Sequence, residues 1–200
     1  MACFTNGTLI CTLKGEMPVG ELSVGDRVVT RDNGLQTVRR ISRRTYDYGQ
    51  LAVAKHLRPI LMTVGALGKG LPEQDMLLSP NQRVIVSADR LPGGGAQQGE
   101  GLLAVKHLVD NHTVRNCTVL GVQYVHIEFA RHEVVLANGI WAESFHSEDA
   151  ALGAEGNAQR SELFEIFPER KLDVRSGRST VADAQGTAKL RQATDGQVGQ

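Results

Sequence analysis

This chain lacks a strong net charge, a long apolar run and a cysteine framework, and each absence removes a class of function. Lys+Arg and Asp+Glu are equal at 22 each, so no global field draws in nucleic acid or an anionic membrane surface. The densest basic cluster, Arg39, Arg40, Arg43 and Arg44, lies in an alternating stretch and reads as the solvated face of a strand. No apolar run is long enough to span a bilayer, and no charged-then-apolar start resembles a cleaved signal. The chain as written is therefore expected in a reducing, cytoplasmic setting, or as a piece of an exported protein. Three cysteines, an odd number without metal-finger spacing, do not make a disulfide framework. Cys11 and Cys117 sit in apolar runs and are expected to be buried thiols.

What is present is a succession of short, β-branched segments cut by Gly, Asn and Asp from Cys3 to about Phe145. Strands are expected over 8–12, 27–31, 36–43, 60–64, 76–78, 83–87, 117–129 (bent near Gly121) and 133–137. Asn33-Gly34 and Asn138-Gly139 are hairpin signals, because Asn-Gly takes the positive φ values that tight hairpins need. Pro92-Gly93-Gly94-Gly95 makes 91–101 a loop. One short helix is expected at 102–109, where Leu102, Val105, Leu108 and Val109 share a face. A second is expected at 161–167, capped by Ser161, with Leu163, Phe164 and Phe167 as its apolar side. The class is all-β with helical trimmings. The domain reading is a β domain over 1–150, a short helical extension over 151–175 and a disordered tail over 176–200.

Three segments carry chemistry. The first is Cys3-Phe4-Thr5-Asn6-Gly7-Thr8, with Val24-Gly25-Asp26-Arg27-Val28 downstream. The second is Leu77-Leu78-Ser79-Pro80-Asn81-Gln82-Arg83-Val84. The third runs from Val125-His126-Ile127-Glu128 through Arg131-His132-Glu133-Val134 and Asn138-Gly139 to Ala142-Glu143-Ser144-Phe145. In this order and spacing they resemble the Hint superfamily shared by hedgehog autoprocessing domains and inteins, more narrowly its bacterial Hint-type domains. The resemblance covers roughly the first three quarters of the chain.

The resemblance implies a horseshoe-like β fold of hairpins with an autocatalytic centre where the first strand meets the last, and no cofactor. Cys3 would be the nucleophile of an N-to-S acyl shift at the preceding peptide bond, so the substrate is the chain's own upstream segment in cis. A thiolate attacks well and a thioester leaves well. Ser79 would hydrogen-bond the scissile amide. His126 and His132 share parity if their strand is unbroken, and an imidazole titrating near neutrality suits acid–base work. Gln82 occupies the position of the family's catalytic histidine, and a glutamine does not deliver a proton at neutral pH. Glu143 and Ser144 stand where splicing needs histidine and asparagine, so cleavage is expected in place of splicing, and at an attenuated rate.

Each residue has a plainer reading. Cys3 can be a small apolar strand residue, Ser79 a turn residue before Pro80, and His126 and His132 packed strand histidines. Asn138-Gly139 is read as a hairpin turn only, and Trp141 as a core plug near the closing strand. Zinc on Cys3, His126 and His132 would need the fold to gather them, and would be adventitious or inhibitory. Two further readings stay open: a degenerate Hint domain serving as a structural or interaction module, and a detached piece of a larger secreted protein.

Overall fold

The computed structural model describes residues 3–92, 99–144 and 154–169, with side chains in the last segment described from Arg160 onward. β1 (Phe4–Thr5), β2 (Leu9–Thr12), β3 (Gly15–Pro18), β4 (Arg27–Thr30), β5 (Gly34–Thr37) and β6 (Arg40–Asp47) lead into the short helix α1 (Tyr48–Val53). Then follow β7 (Ile60–Met62), β8 (Met76–Leu78), β9 (Arg83–Ser87), β10 (Glu100–Ala104) and β11 (Val114–Asn116). β12 (Gly121–Glu128), β13 (Glu133–Ala137), β14 (Ile140–Ser144) and the helix α2 (Ala154–Ile166) complete the described chain. The class is all-β.

The strands form two antiparallel sheets. One has the order β11-β7-β8-β1-β12-β6, the other β10-β9-β14-β13-β2-β4-β5, with β3 added beside β2. The main core lies between them: Phe4, Ile60, Leu78, Val125 and Ile127 from the first sheet meet Ile10, Val28, Val84, Val135 and Ile140 from the second. Alternation along a half-buried strand normally sends every second side chain to water. β12 departs from that, with a nearly continuous buried run from Tyr124 to Glu128. Its Val125 and Ile127 face the main core. Its Val122 and Tyr124 belong to a second cluster with Cys3, Tyr46, Leu51, Leu57, Leu163, Ile166 and Phe167, so α2 covers the other face.

Turn chemistry positions the ends of this frame. β13 and β14 pair Ala137 with Ile140 across Asn138 (φ 45°) and Gly139 (φ 80°), the two-residue hairpin that needs positive φ at both positions. Asn138 also clamps β2: its Oδ1 accepts from the Leu9 N–H at 2.7 Å and its own N–H donates to the Leu9 carbonyl at 2.9 Å. The β4–β5 hairpin is real, but its turn differs from the expected one. Thr30 pairs with Gly34, so Arg31-Asp32-Asn33 form the loop and only Gly34 (φ 62°) takes positive φ. Asn33 instead donates through Nδ2 to Glu133 Oε2 at 2.9 Å.

Other expectations are corrected. Residues 100–104 are strand β10, paired along its length with β9, and only Val105–Leu108 form a 3-10 turn. The apolar stripe read as helical yields to ladder pairing, with Leu103 and Val105 buried in alternation. α2 begins at Ala154, so Ser161 lies inside the helix and is not its cap. Trp141 is only half-buried, as are Cys11 and Cys117. α1 was not expected from the sequence, although Asp47 and Gln50 form a reciprocal capping box at its start. The tail beyond residue 175 lies outside the described residues.

Candidate active site

The strand register builds the site. Phe4 pairs with Val125 on one side and with Leu78 on the other. One step back along these antiparallel ladders sets Cys3 between His126 and Ser79. Side-chain alternation then sends Phe4 into the main core and Cys3 toward α2. The Cys3 N–H donates to Ser79 Oγ at 3.3 Å, and the Ser79 N–H donates to the Cys3 carbonyl at 3.2 Å. Both residues are completely buried and His126 nearly so. The amide on the amino side of Cys3 is therefore held by a hydroxyl in a site closed to bulk water.

His126 and His132 do not share a pocket through strand parity, because the strand is broken: β12 ends at Glu128 and β13 begins at Glu133. His126 Nε2 lies 3.2 Å from Glu128 Oε1, and Glu128 Oε2 lies 3.8 Å from Arg40 Nε. His132 Nε2 lies 2.7 Å from Glu143 Oε1, which also takes a bond from Arg83 Nη1 at 3.2 Å. His126 thus belongs to the Cys3 face, and His132 to the closing hairpin. Gln82 belongs with the hairpin too. Its Nε2 donates to the Glu143 carbonyl at 2.9 Å and to the Arg83 carbonyl at 3.1 Å, while its buried Oε1 has no hydrogen-bond partner among the described residues. The Gln82 side chain is a strut between β9 and β14. Both of its donors are spent on backbone.

The Cys3 thiol is buried against Tyr46, Tyr124, Leu163, Ile166 and Phe167. Burial pushes the Cys3 thiol well above its ordinary value, and Glu162 adds to this. Burial likewise raises the phenols of Tyr124 and Tyr46. Tyr124 donates to the Leu57 carbonyl at 2.6 Å and meets Tyr46 edge-on at 6.2 Å. A buried neutral thiol is a poor nucleophile until something removes its proton.

Four site neighbours escaped the sequence reading. Glu128 had a signal: two residues from His126, it must share its face. Tyr124 had the same signal. Asn81 and Glu162 had none, since Asn81 Nδ2 donates to Glu162 Oε2 at 2.6 Å across 81 residues of chain. Among the described residues, no three His, Cys, Asp or Glu side chains converge as metal ligands.

The chain is similar in structure to the gp41-1 intein, at 14% identity over 70% of this chain and 98% of that one, with a TM-score of 0.42. It is similar to the MchDnaB-1 intein at 10% identity over 71% and 99%, with a TM-score of 0.45. A bacterial intein-like domain from Clostridium thermocellum shows 13% identity over 72% and 99%, with a TM-score of 0.39. No curated protein matches the chain in sequence. The family model described as Hint domain matches residues 2–149. With that match over most of its length, the chain belongs to the Hint domain family.

Proposed function

We propose that this chain is a self-processing domain that cleaves the peptide bond ahead of Cys3 without splicing. The observation that carries the reading is the Cys3–Ser79 pair, in which the amide of a buried cysteine donates to a buried hydroxyl at 3.3 Å. In the first step Cys3 Sγ bonds to the carbonyl carbon of residue 2, and the C–N bond to Cys3 breaks. The thiol proton leaves Sγ, and a proton is taken up by the freed Cys3 amine. Water or another nucleophile then attacks the thioester carbon, the C–S bond breaks, and the thiol is restored. Ser79 holds the departing nitrogen, and the imidazole of His126, across the ladder from Cys3, carries the proton. Gln82 supplies none, and general acid catalysis is worth about 10²–10⁴-fold, so turnover is slow.

A second reading is favoured by Gln82 itself. Both of its donors are tied to the carbonyls of Arg83 and Glu143, as in a residue kept for packing. On that reading the chain is a degenerate member of the family that serves as a β-rich interaction module. A reporter fused ahead of Cys3, incubated with and without hydroxylamine and weighed by mass spectrometry, separates the two. Self-processing predicts hydroxylamine-stimulated release that disappears in Cys3→Ala. An intact fusion after long incubation, in the native chain and in Gln82→His alike, leaves only the module.

A further inference from the structure

Helix α2 lies beyond the family match, which ends at residue 149, yet it closes the Cys3 face. Leu163, Ile166 and Phe167 are wholly buried in one cluster with Cys3 and Tyr124. The Phe167 ring stands 6.4 Å from that of His126. Two polar ties fix the helix to the β frame: Asn81 to Glu162 at 2.6 Å and His56 to Glu165 at 2.7 Å. On the opposite side of β1, Phe4, Leu78 and Val125 fill the main core. Among the described residues, α2 therefore packs directly over Cys3 on the face away from the main core, beside Leu51 and Leu57.

Alone, α2 is a weak helix. Its 13 residues are at the length where isolated helices are marginal in water, and Gly156 in its first turn adds no helix propensity. Its order comes from docking, so undocking and unfolding are one event.

We propose that α2 is an autoinhibitory cover, docked over Cys3 in the resting chain and displaced when the thiol is to react. The proposal takes its consequence from the reading of Cys3 as a self-processing nucleophile, and its geometry from packing alone. Docked, the helix excludes the acyl acceptor and keeps the thiol in a medium that holds it neutral; Glu162, carried on the same helix, acts in that direction. Displaced, it removes both restraints together.

The test is alkylation of the full chain by iodoacetamide, read for each cysteine by peptide mass mapping. Half-buried Cys11 and Cys117 serve as internal references for the β frame. Leu163→Asp combined with Ile166→Asp breaks the apolar contact. Ser161→Pro, at an exposed helical position, changes no core side chain and breaks the helix instead. Both variants are expected to speed labelling of Cys3 by at least about tenfold, while Cys11 and Cys117 hold their rates. A change at Cys3 below about twofold when the helical circular dichroism signal has been lost overturns the cover. Equal acceleration at all three cysteines also overturns it, because the protection would then be global. The same variants in the reporter fusion keep the two proposals apart. Faster labelling without release retains the cover and removes self-processing, whereas release from the native fusion with Cys3 labelling unmoved by the variants does the reverse.

Discussion

The two faces that meet near β1 differ in chemistry. Around Cys3 the partners are Tyr46, Tyr124, Leu163, Ile166 and Phe167, and burial pushes the thiol and both phenols toward their neutral forms. At the closing hairpin the groups are charged: Glu143 lies between Arg83 and His132, and Glu133 bonds Arg131 and Asn33. The first face favours the neutral form of a buried thiol. The second spends its carboxylates on holding β13, β14 and β9 in place. Glu143 and Ser144 are buried there and bonded to neighbouring strands.

Restoring a proton donor at the boundary between the faces is expected to give the largest effect. Gln82→His places an imidazole where the strut now stands, and should raise reporter release by about 10²–10⁴-fold. Release that stays at the native rate, with the variant folded, would mean that position 82 does not address the scissile bond. Next comes the hairpin itself. Glu143→Ala leaves Arg83 and His132 without their shared carboxylate. Their side chains are 23% and 35% exposed, so water offsets part of the loss. A destabilisation of about 2 kcal/mol is expected from urea midpoints. A change below about 0.5 kcal/mol would reduce the ion cluster to surface decoration. Tyr124→Phe tests the neutral face by deleting one hydroxyl and keeping the shape. The Leu57 carbonyl loses its 2.6 Å partner, for an expected cost of about 1–2 kcal/mol. An unshifted midpoint would show that water reaches that carbonyl.

How much of this was readable in advance depends on whether the signal was local. Asn138-Gly139 announced its hairpin because only a few residues accept positive φ at two successive positions. Asn33-Gly34 announced a hairpin too, but a side-chain bond to Glu133, 100 residues away, accompanies a different turn. The stripe Leu102, Val105, Leu108 fits a helix as well as a strand followed by a turn, and pairing with β9 decided between them. The motif order brought Cys3 and Ser79 to notice, and the ladders set them side by side. The direction in which Gln82 points its donors, and the seat of α2 on β12, depend on contacts between distant segments. Val122 and Tyr124, apolar on the face opposite Val125 and Ile127, were a local trace of that covered second face.

The smallest expected effect separates the faces by pH. Cys3, Tyr46 and Tyr124 all have raised values in the folded chain. An unfolded thiol ionises near about 8.5 and an unfolded phenol near about 10. Above those points the unfolded chain has released protons that the folded chain still holds, so rising pH favours unfolding. The stability tied to the neutral groups is fully present below about pH 8.5, and is lost as pH climbs through the gap between unfolded and folded values. The thiol's share begins first and amounts to less than about 1 kcal/mol at pH 9, with the phenols joining near pH 10. Urea midpoints measured across this range should fall earlier in the native chain than in Cys3→Ala, whose decline should start only where the phenols ionise. Parallel curves for the two proteins would mean that Cys3 exchanges protons as freely folded as unfolded. That result would remove the contrast between the neutral groups around Cys3 and the ion pairs of the hairpin.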